Sequence, residues 1–205
     1  FELRSDADSL RIEAAMRCLQ ALIKDKVGLE AVLAPGDACQ AFASGGGSLL
    51  LSDGDKLLVP CVQVLCACAV YSAEGNRQVL AALEELYYSH ASSFDLDASG
   101  DTPISDAAKP FTILVERLKV PRNARVHAPL LTLLNAVVSG CDDIGQRVTM
   151  RMALADLSFI ELTRPLMSDL GDDIDLQIAV FDQEVQADTS ELGGGSSTGD
   201  DPVLD

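Results

Sequence analysis

The residue types that most often carry chemistry in proteins are scattered in this chain of 205 residues. It has six cysteines and two histidines, and its densest cysteine group, Cys61, Cys66 and Cys68, lies inside an apolar helical pattern. A zinc site needs about four thiolate or imidazole ligands that converge at short spacing, and no such set is visible. We therefore expect no metal, and reduced cysteines that serve as small core residues, as is typical of a cytoplasmic protein.

Two further stretches contain the right residue types without the spacing that their chemistry needs. Asp95, Asp97 and Asp101 resemble part of a calcium loop, but the EF-hand spacing and its closing glutamate are missing. The glycine run at 45–47 lacks the lysine that a phosphate-binding loop requires. No nucleophile and base stand at a recognisable spacing. The sequence therefore predicts a protein that is not an enzyme and has no cofactor.

The charge balance restricts the class of partner. The chain has 15 lysines and arginines against 32 acids, a net charge of −17, and ten of the acids but no basic residue lie in 172–205. This charge opposes binding to nucleic acid and to anionic lipid, and favours a basic or neutral partner surface. The sequence GGGSSTG at 193–199 is typical of a flexible linker. We predict a folded domain over 1–192 and a flexible Gly/Ser-acidic tail over 193–205.

Apolar residues recur at helical spacing along nearly the whole chain, whereas strand-like alternation is scarce. About nine helices joined mostly by short loops are expected, with a short helix over 37–43 that ends before a loop at 45–47. The stretch 56–72 is apolar nearly all round, which predicts a helix buried on several sides. No apolar run reaches the roughly 20 residues that a membrane helix needs. The predicted class is all-α, either an α-solenoid or an irregular bundle.

An internal repeat favours the solenoid. Three seven-residue segments that begin at Cys18, Val64 and Leu133 superpose without gaps, each with leucine in the second place and alanine in the fourth. Each is followed by a helix break and a glycine: Gly28, Gly75 and Gly145. The segments begin 46 and 69 residues apart, and the first interval fits the armadillo and HEAT range. The sequence therefore predicts an armadillo-repeat α-solenoid.

The alanines of the repeat suggest a binding surface. A repeat cannot bury its apolar face alone, so its neighbours stack and the equivalent helices line up along the concave side. Ala21, Ala67 and Ala136 would then floor a shallow groove that accepts an amphipathic partner helix. The alternative is that these alanines only permit close packing between helices, and the repeat alone does not decide between the two.

The same segments, with others in order between Cys18 and Gln183, resemble the diaphanous inhibitory domain of Rho-regulated formins, also called formin homology 3. The matching pieces include Gly28-Leu-Glu-Ala-Val-Leu33, Leu133-Leu-Asn-Ala-Val-Val138 and Leu176-Gln-Ile-Ala-Val-Phe-Asp182. The run from Val64 to Gly75, which ends in Tyr-Ser-Ala-Glu-Gly, is most similar to the inverted formins, followed by the diaphanous-related formins.

The resemblance implies a fold and a function. The family's domain is a right-handed armadillo superhelix whose concave surface binds the C-terminal autoregulatory helix of the same formin. This holds the actin-assembling half inactive until a Rho-family GTPase displaces the helix. Actin is then a partner only through other parts of the parent protein, and the domain is cytoplasmic and associated with the cytoskeleton. The family's GTPase-binding segment would lie before Phe1, and where its dimerisation helices would follow Asp182 this sequence has the Gly/Ser linker at 193–199 and a short acidic end.

The resemblance also implies site residues. The family's autoregulatory contacts fall here on Leu133, Asn135, Ala136 and Val137, with Leu65, Cys66 and Ala69 as companions beside the repeat alanines Ala21 and Ala67. Lys24 and Asp25 stand where an asparagine pair of the diaphanous members contacts Rho, so they are the residues expected to face a GTPase. The alternative function is an armadillo scaffold that docks cytoskeletal or membrane partners without autoinhibition.

Overall fold

The computed structural model describes residues 6–52, 55–90, 104–119, 123–166 and 171–194, and every regular element in these ranges is helical. The predicted all-α class is therefore confirmed for the described part of the chain. The α-helices are α1 Asp6–Leu22, α2 Lys26–Leu33, α3 Ala38–Ser48, α4 Asp55–Tyr71, α5 Ala73–His90, α6 Lys109–Leu118, α7 Ala124–Ser139, α8 Ile144–Asp156, α9 Phe159–Thr163 and α10 Asp172–Gly194. Single 3-10 turns follow α3 and α9.

Four helices, each separated from the next by two connecting helices in the chain, contact one another in succession. α1 packs on α4, α4 on α7, and α7 on α10. We call α1, α4, α7 and α10 the ladder helices. Behind them α2 and α3, α5 and α6, and α8 and α9 complete three helix triplets, each of which ends in a ladder helix. α4 contacts α1, α5 and α7, which explains why it is apolar nearly all round.

Two glycines of the sequence repeat stand at sites where the backbone of one helix approaches another closely. A Cβ atom on Gly28 would overlap the backbone carbonyl oxygen of Leu22 in α1, and one on Gly75 would overlap that of Cys68 in α4. Leu22 and Cys68 hold the same place in the repeat, one residue after its alanine. The helix that follows each of these two ladder helices therefore begins pressed against it, and only glycine leaves room. Gly145 is less crowded, because the atom nearest to the place that its Cβ would take is 3.3 Å away.

The loop predicted at 45–47 is wrong. α3 continues through these three glycines to Ser48 and runs into the 3-10 turn Leu49–Leu51. Leu49 and Leu50 are buried there, and this anchor offsets the roughly 1 kcal/mol per residue by which glycine is disfavoured in a helix relative to alanine. At the other end of the chain α10 reaches Gly194, two residues past the predicted domain boundary. The acids Asp95, Asp97 and Asp101 and the tail from residue 195 lie outside the described residues.

The cysteines divide into two groups. Cys39, Cys61 and Cys68 are buried in the core between α3 and α4, as predicted for small core residues. Cys18 is instead exposed, and Cys66 and Cys141 are half-buried. Of the helices described, none combines the length and the apolar character needed to cross a membrane.

Candidate partner groove

The outer sides of the ladder helices form a groove. A cavity of about 490 Å³ lies between α1 and α4, and another of about 360 Å³ lies between α4, α7 and α10. Gln63 lines both cavities, so they meet at that side chain. The first is lined by Arg17, Gln20, Ala21, Ile23, Lys24 and Gln63, and the second by Gln63, Cys66, Ala128, Pro129, Thr132, Asp173, Leu176 and Gln177. We call this surface the ladder groove.

The lining residues follow from helical periodicity. Residues three and four apart share one face of a helix, and the lining residues of each ladder helix keep this spacing. Arg17, Gln63 and Thr132 each stand four residues before a repeat alanine, so they occupy one common place in the repeat. They line the groove from α1, α4 and α7 in turn. The sequence analysis did not include these three residues, which directly precede the first residue of each repeat segment.

Several predicted groove residues lie on this face. Ala21 is exposed and Cys66 is half-buried, and each lines one of the cavities. Ala67 and Ala136 are half-buried and line neither of these cavities, and Ala136 packs against the core. Of the three alanines predicted to floor the groove, Ala21 therefore lines it and the other two do not.

Four predicted groove residues are placed elsewhere. Leu65, Ala69, Leu133 and Val137 are at most 1% exposed, so they lie in the core and cannot line the groove. Leu65 and Ala69 stand four residues apart, as do Leu133 and Val137, and each pair forms the stripe that faces the interior. The prediction that these four residues line the groove is therefore wrong: they lie on the predicted helices, but on the side that faces the core.

Asn135 lies at the edge of the core and its amide is already occupied. Its Nδ2 donates to the backbone carbonyl of Gln177 in α10 at 2.8 Å and to the Gln177 side-chain oxygen at 3.1 Å. Gln20, at the same place in the first repeat, donates from Nε2 to Oε1 of Gln63 in α4 at 2.6 Å. The third place of the repeat thus carries an amide that ties one ladder helix to the next, at both ends of the groove.

The two residues expected to face a GTPase have different surroundings. Lys24 is exposed and lines the cavity between α1 and α4. Asp25 is the N-cap of α2, because its Oδ1 accepts a hydrogen bond from the backbone N–H of Gly28 at 2.8 Å. The structure therefore gives Asp25 a local structural role and leaves Lys24 on the groove.

The groove is charged at its ends and neutral in its middle. Arg17 and Lys24 are exposed at the α1 end, whereas Asp172 and Asp173 begin α10 at the other end, where carboxylates favour a helix N-terminus. Between them, burial and then the neighbouring Cys68 thiol raise the pKa of Cys66 to about 12, so this thiol is neutral at pH 7. Among the described residues, no three His, Cys, Asp or Glu side chains come together closely enough to hold a metal ion.

Comparison with known proteins identifies relatives of this chain. No protein-family model matches it. It is 22% identical over 186 residues, 91% of its length, to inverted formin-2 of Xenopus tropicalis, and 25% identical over 174 residues, 84% of its length, to Formin-H of Dictyostelium discoideum. Formin-F of Dictyostelium discoideum is 23% identical over 195 residues. This weak homology over most of the chain supports a formin-related protein. The chain spans 12% to 14% of the length of these three relatives.

Proposed function

We propose that this chain is the regulatory region of a formin, a diaphanous inhibitory or formin homology 3 domain with an armadillo-repeat fold. It binds the C-terminal autoregulatory helix of its own parent protein in the ladder groove and thereby restrains actin assembly. The observation that carries the proposal is the succession of contacts from α1 to α4, α7 and α10, with one equivalent repeat place, that of Arg17, Gln63 and Thr132, lining the groove from three of these helices. The homology to formins supports the choice of parent protein.

The shape and chemistry of the groove fit a helix better than an extended strand. Its lining includes small side chains such as Ala21, Cys66 and Thr132, and the larger apolar side chain of Leu176, which is 57% exposed, lines it from α10. A partner helix places apolar residues at i, i+3, i+4 and i+7 along one stripe. Such a stripe would cover Leu176 and the neutral middle of the groove, and its polar flanks would remain in water.

The remaining parts of the function follow from the same proposal. The domain acts as a binding module in the cytoplasm, associated with the actin cytoskeleton through the rest of the parent protein, and not as an enzyme. A Rho-family GTPase would relieve the inhibition from the α1 side, where Lys24 is exposed. Asp25 caps α2, so Lys24 is the residue that the proposal assigns to contact with the GTPase.

Isothermal titration calorimetry with a peptide of the parent formin's C-terminal segment tests the proposal. Thr132→Arg places a large charged side chain in the middle of the groove, and we expect it to weaken binding by about tenfold or more. The matched control is Met152→Arg on α8, where the native side chain is 64% exposed and lies outside the groove. Equal affinity of Thr132→Arg and the wild-type chain, with both folded by circular dichroism, would overturn the assignment of the groove.

A further inference from the structure

The last ladder helix is held in two different ways along its length. In its first half α10 buries Ile174, Ile178 and Phe181, an apolar stripe at helical spacing. Phe181 also packs on Phe159 of α9 with ring centroids 5.0 Å apart. Beyond Phe181, the only buried side chain among the described residues of this helix is Asp188, which is 3% exposed. In the described second half of α10, half-buried Val185 packs against the core, and Asp188 is the side chain buried most deeply.

Two arginines of α8 hold that carboxylate. Arg147 Nε donates to Asp188 Oδ1 at 2.9 Å and Arg151 Nε donates to Asp188 Oδ2 at 2.9 Å. The arginines stand four residues apart, so they lie on one face of α8 and meet α10 side by side. Arg147 Nη1 also donates to the backbone carbonyl of Cys141 at 3.0 Å. The guanidinium of Arg151 lies 5.6 Å from the centre of the Phe181 ring.

The cluster depends on its single shared acid. Nη1 and Nη2 of Arg151 are buried and have no hydrogen-bond partner within the described structure, and Glu184 and Glu191 lie 3.7 and 3.8 Å from Arg151 and Arg147, beyond hydrogen-bond distance. Asp188 therefore supplies the hydrogen-bonded charge that balances both guanidinium groups. Without it, the two guanidinium groups would retain only these longer ion pairs in a largely buried space, which is unfavourable.

We propose that Asp188 is a positioning residue that fastens the second half of α10 to α8 and thereby sets the angle of the groove's last wall. α10 is one continuous helix, and Asn135 holds it near its start at Gln177. Asp188 lies 11 residues further on, a distance of about 16 Å along a helix. The first half of α10, which carries the groove residues Asp173 and Leu176, is held by the apolar stripe and the Asn135 bond, and Asp188 adds an attachment beyond Phe181 that fixes the direction of the same continuous helix. The effect on partner binding rests on the proposed function, whereas the attachment itself does not.

Hydrogen–deuterium exchange on the whole chain tests the attachment. In Asp188→Ala we expect the amides of 182–194 to exchange about tenfold faster or more, while those of α4 keep their wild-type protection. Asp188→Asn, which keeps the shape and one acceptor, should show a smaller increase. Asp182→Ala removes an exposed acid from the same helix and should leave exchange unchanged. Unchanged exchange in Asp188→Ala, or an equal increase in all helices of either Asp188 variant, would overturn the proposal.

Calorimetry with the C-terminal segment tests the link to the groove. We expect Asp188→Ala to weaken binding and Asp182→Ala to bind like wild type. Faster exchange of 182–194 with unchanged affinity would overturn the claim that Asp188 sets the groove wall. If the wild-type chain itself fails to bind the segment, the proposed function fails, and the exchange measurement still decides whether Asp188 positions α10.

Discussion

The side-chain amide of Asn135 in α7 donates to the backbone carbonyl of Gln177 in α10 at 2.8 Å. Gln20, at the same place in the first repeat, donates to Gln63 in the next ladder helix at 2.6 Å. The repeat thus places an amide where successive ladder helices meet. At that place the second repeat has Cys66, a half-buried neutral thiol that lines the groove.

Replacement of Asn135 by alanine should measure the strength of this tie. The substitution removes two hydrogen bonds and leaves the Gln177 acceptors unpaired. Because Asn135 is buried, we expect the unfolding free energy to fall by about 1–2 kcal/mol. Gln20→Ala is the matched control, because its bond to Gln63 is exposed to water, and it should cost only a few tenths of a kcal/mol. Urea denaturation followed by circular dichroism measures both. An equal decrease in unfolding free energy in the two variants would contradict a larger contribution from the Asn135 hydrogen bonds.

The glycines of the repeat should respond very differently to alanine. At Gly28 and at Gly75 a Cβ atom would overlap a backbone carbonyl oxygen, so the packed helices must move apart. We expect each substitution to lower the unfolding free energy by about 1–3 kcal/mol, as for other overpacked sites. Gly145→Ala is the control. The atom nearest to its added Cβ would be Asp143 Oδ1, at 3.3 Å, and alanine has a higher helix propensity than glycine. Thermal unfolding compares the three. Gly75→Ala as stable as Gly145→Ala would contradict the close approach.

Two exposed leucines of α10 allow a controlled test of the groove surface. Leu176 and Leu192 are 57% and 50% exposed, but only Leu176 lines the cavity between α4, α7 and α10. Leu176→Ala should weaken binding of the C-terminal segment by about tenfold, as expected for a buried apolar contact, while Leu192→Ala should not change it. Neither variant should alter stability much, since both side chains are exposed. Fluorescence anisotropy with a labelled peptide gives the dissociation constants. A similar decrease in affinity for both variants would show that the peptide does not bind specifically at Leu176.

The pairing of Asp188 with Arg147 and Arg151 predicts a pH dependence of stability. Burial opposes ionisation of Asp188, but the hydrogen bonds from Arg147 and Arg151 outweigh it, so its pKa in the folded chain lies below the usual value. Ionised Asp188 therefore stabilises the fold above the unfolded-state pKa of about 3.9, and this contribution is lost as pH falls through the folded-state pKa.

Wild type and Asp188→Asn should consequently differ in their acid response. The unfolding free energy of wild type should fall more steeply below about pH 4 than that of Asp188→Asn, because only wild type has the Asp188 carboxylate to lose, whereas Glu184 and Glu191, 3.7 and 3.8 Å from the two arginines, are present in both. Urea titrations at steps from neutral pH downward give the two curves. Parallel curves over the acid range would show that Asp188 is not held ionised by the arginines.

The sequence anticipated the helices, because they follow from a local period of three to four residues. Of the repeat alanines that it placed on the groove floor, Ala21 lines a cavity, whereas Ala67 and Ala136 line neither. The sequence analysis misplaced Leu133 and Val137, because α7 is apolar on several sides and local pattern does not reveal which side meets α4 and α10. The helix through residues 45–47 depends on buried leucines in the next turn, which is a tertiary effect. The pairing of Asp188 with Arg147 and Arg151 joins residues 41 and 37 apart, so no local signal could have indicated it.

Actin assembly measured with the actin-assembling C-terminal half of the parent formin tests the central claim most directly. Added in increasing amounts, the wild-type chain should suppress assembly to the level of actin alone, while Thr132→Arg at the same concentrations should leave it largely active. Assembly that continues unchanged at saturating wild-type chain, or that Thr132→Arg suppresses equally well, would contradict a groove that binds the autoregulatory helix.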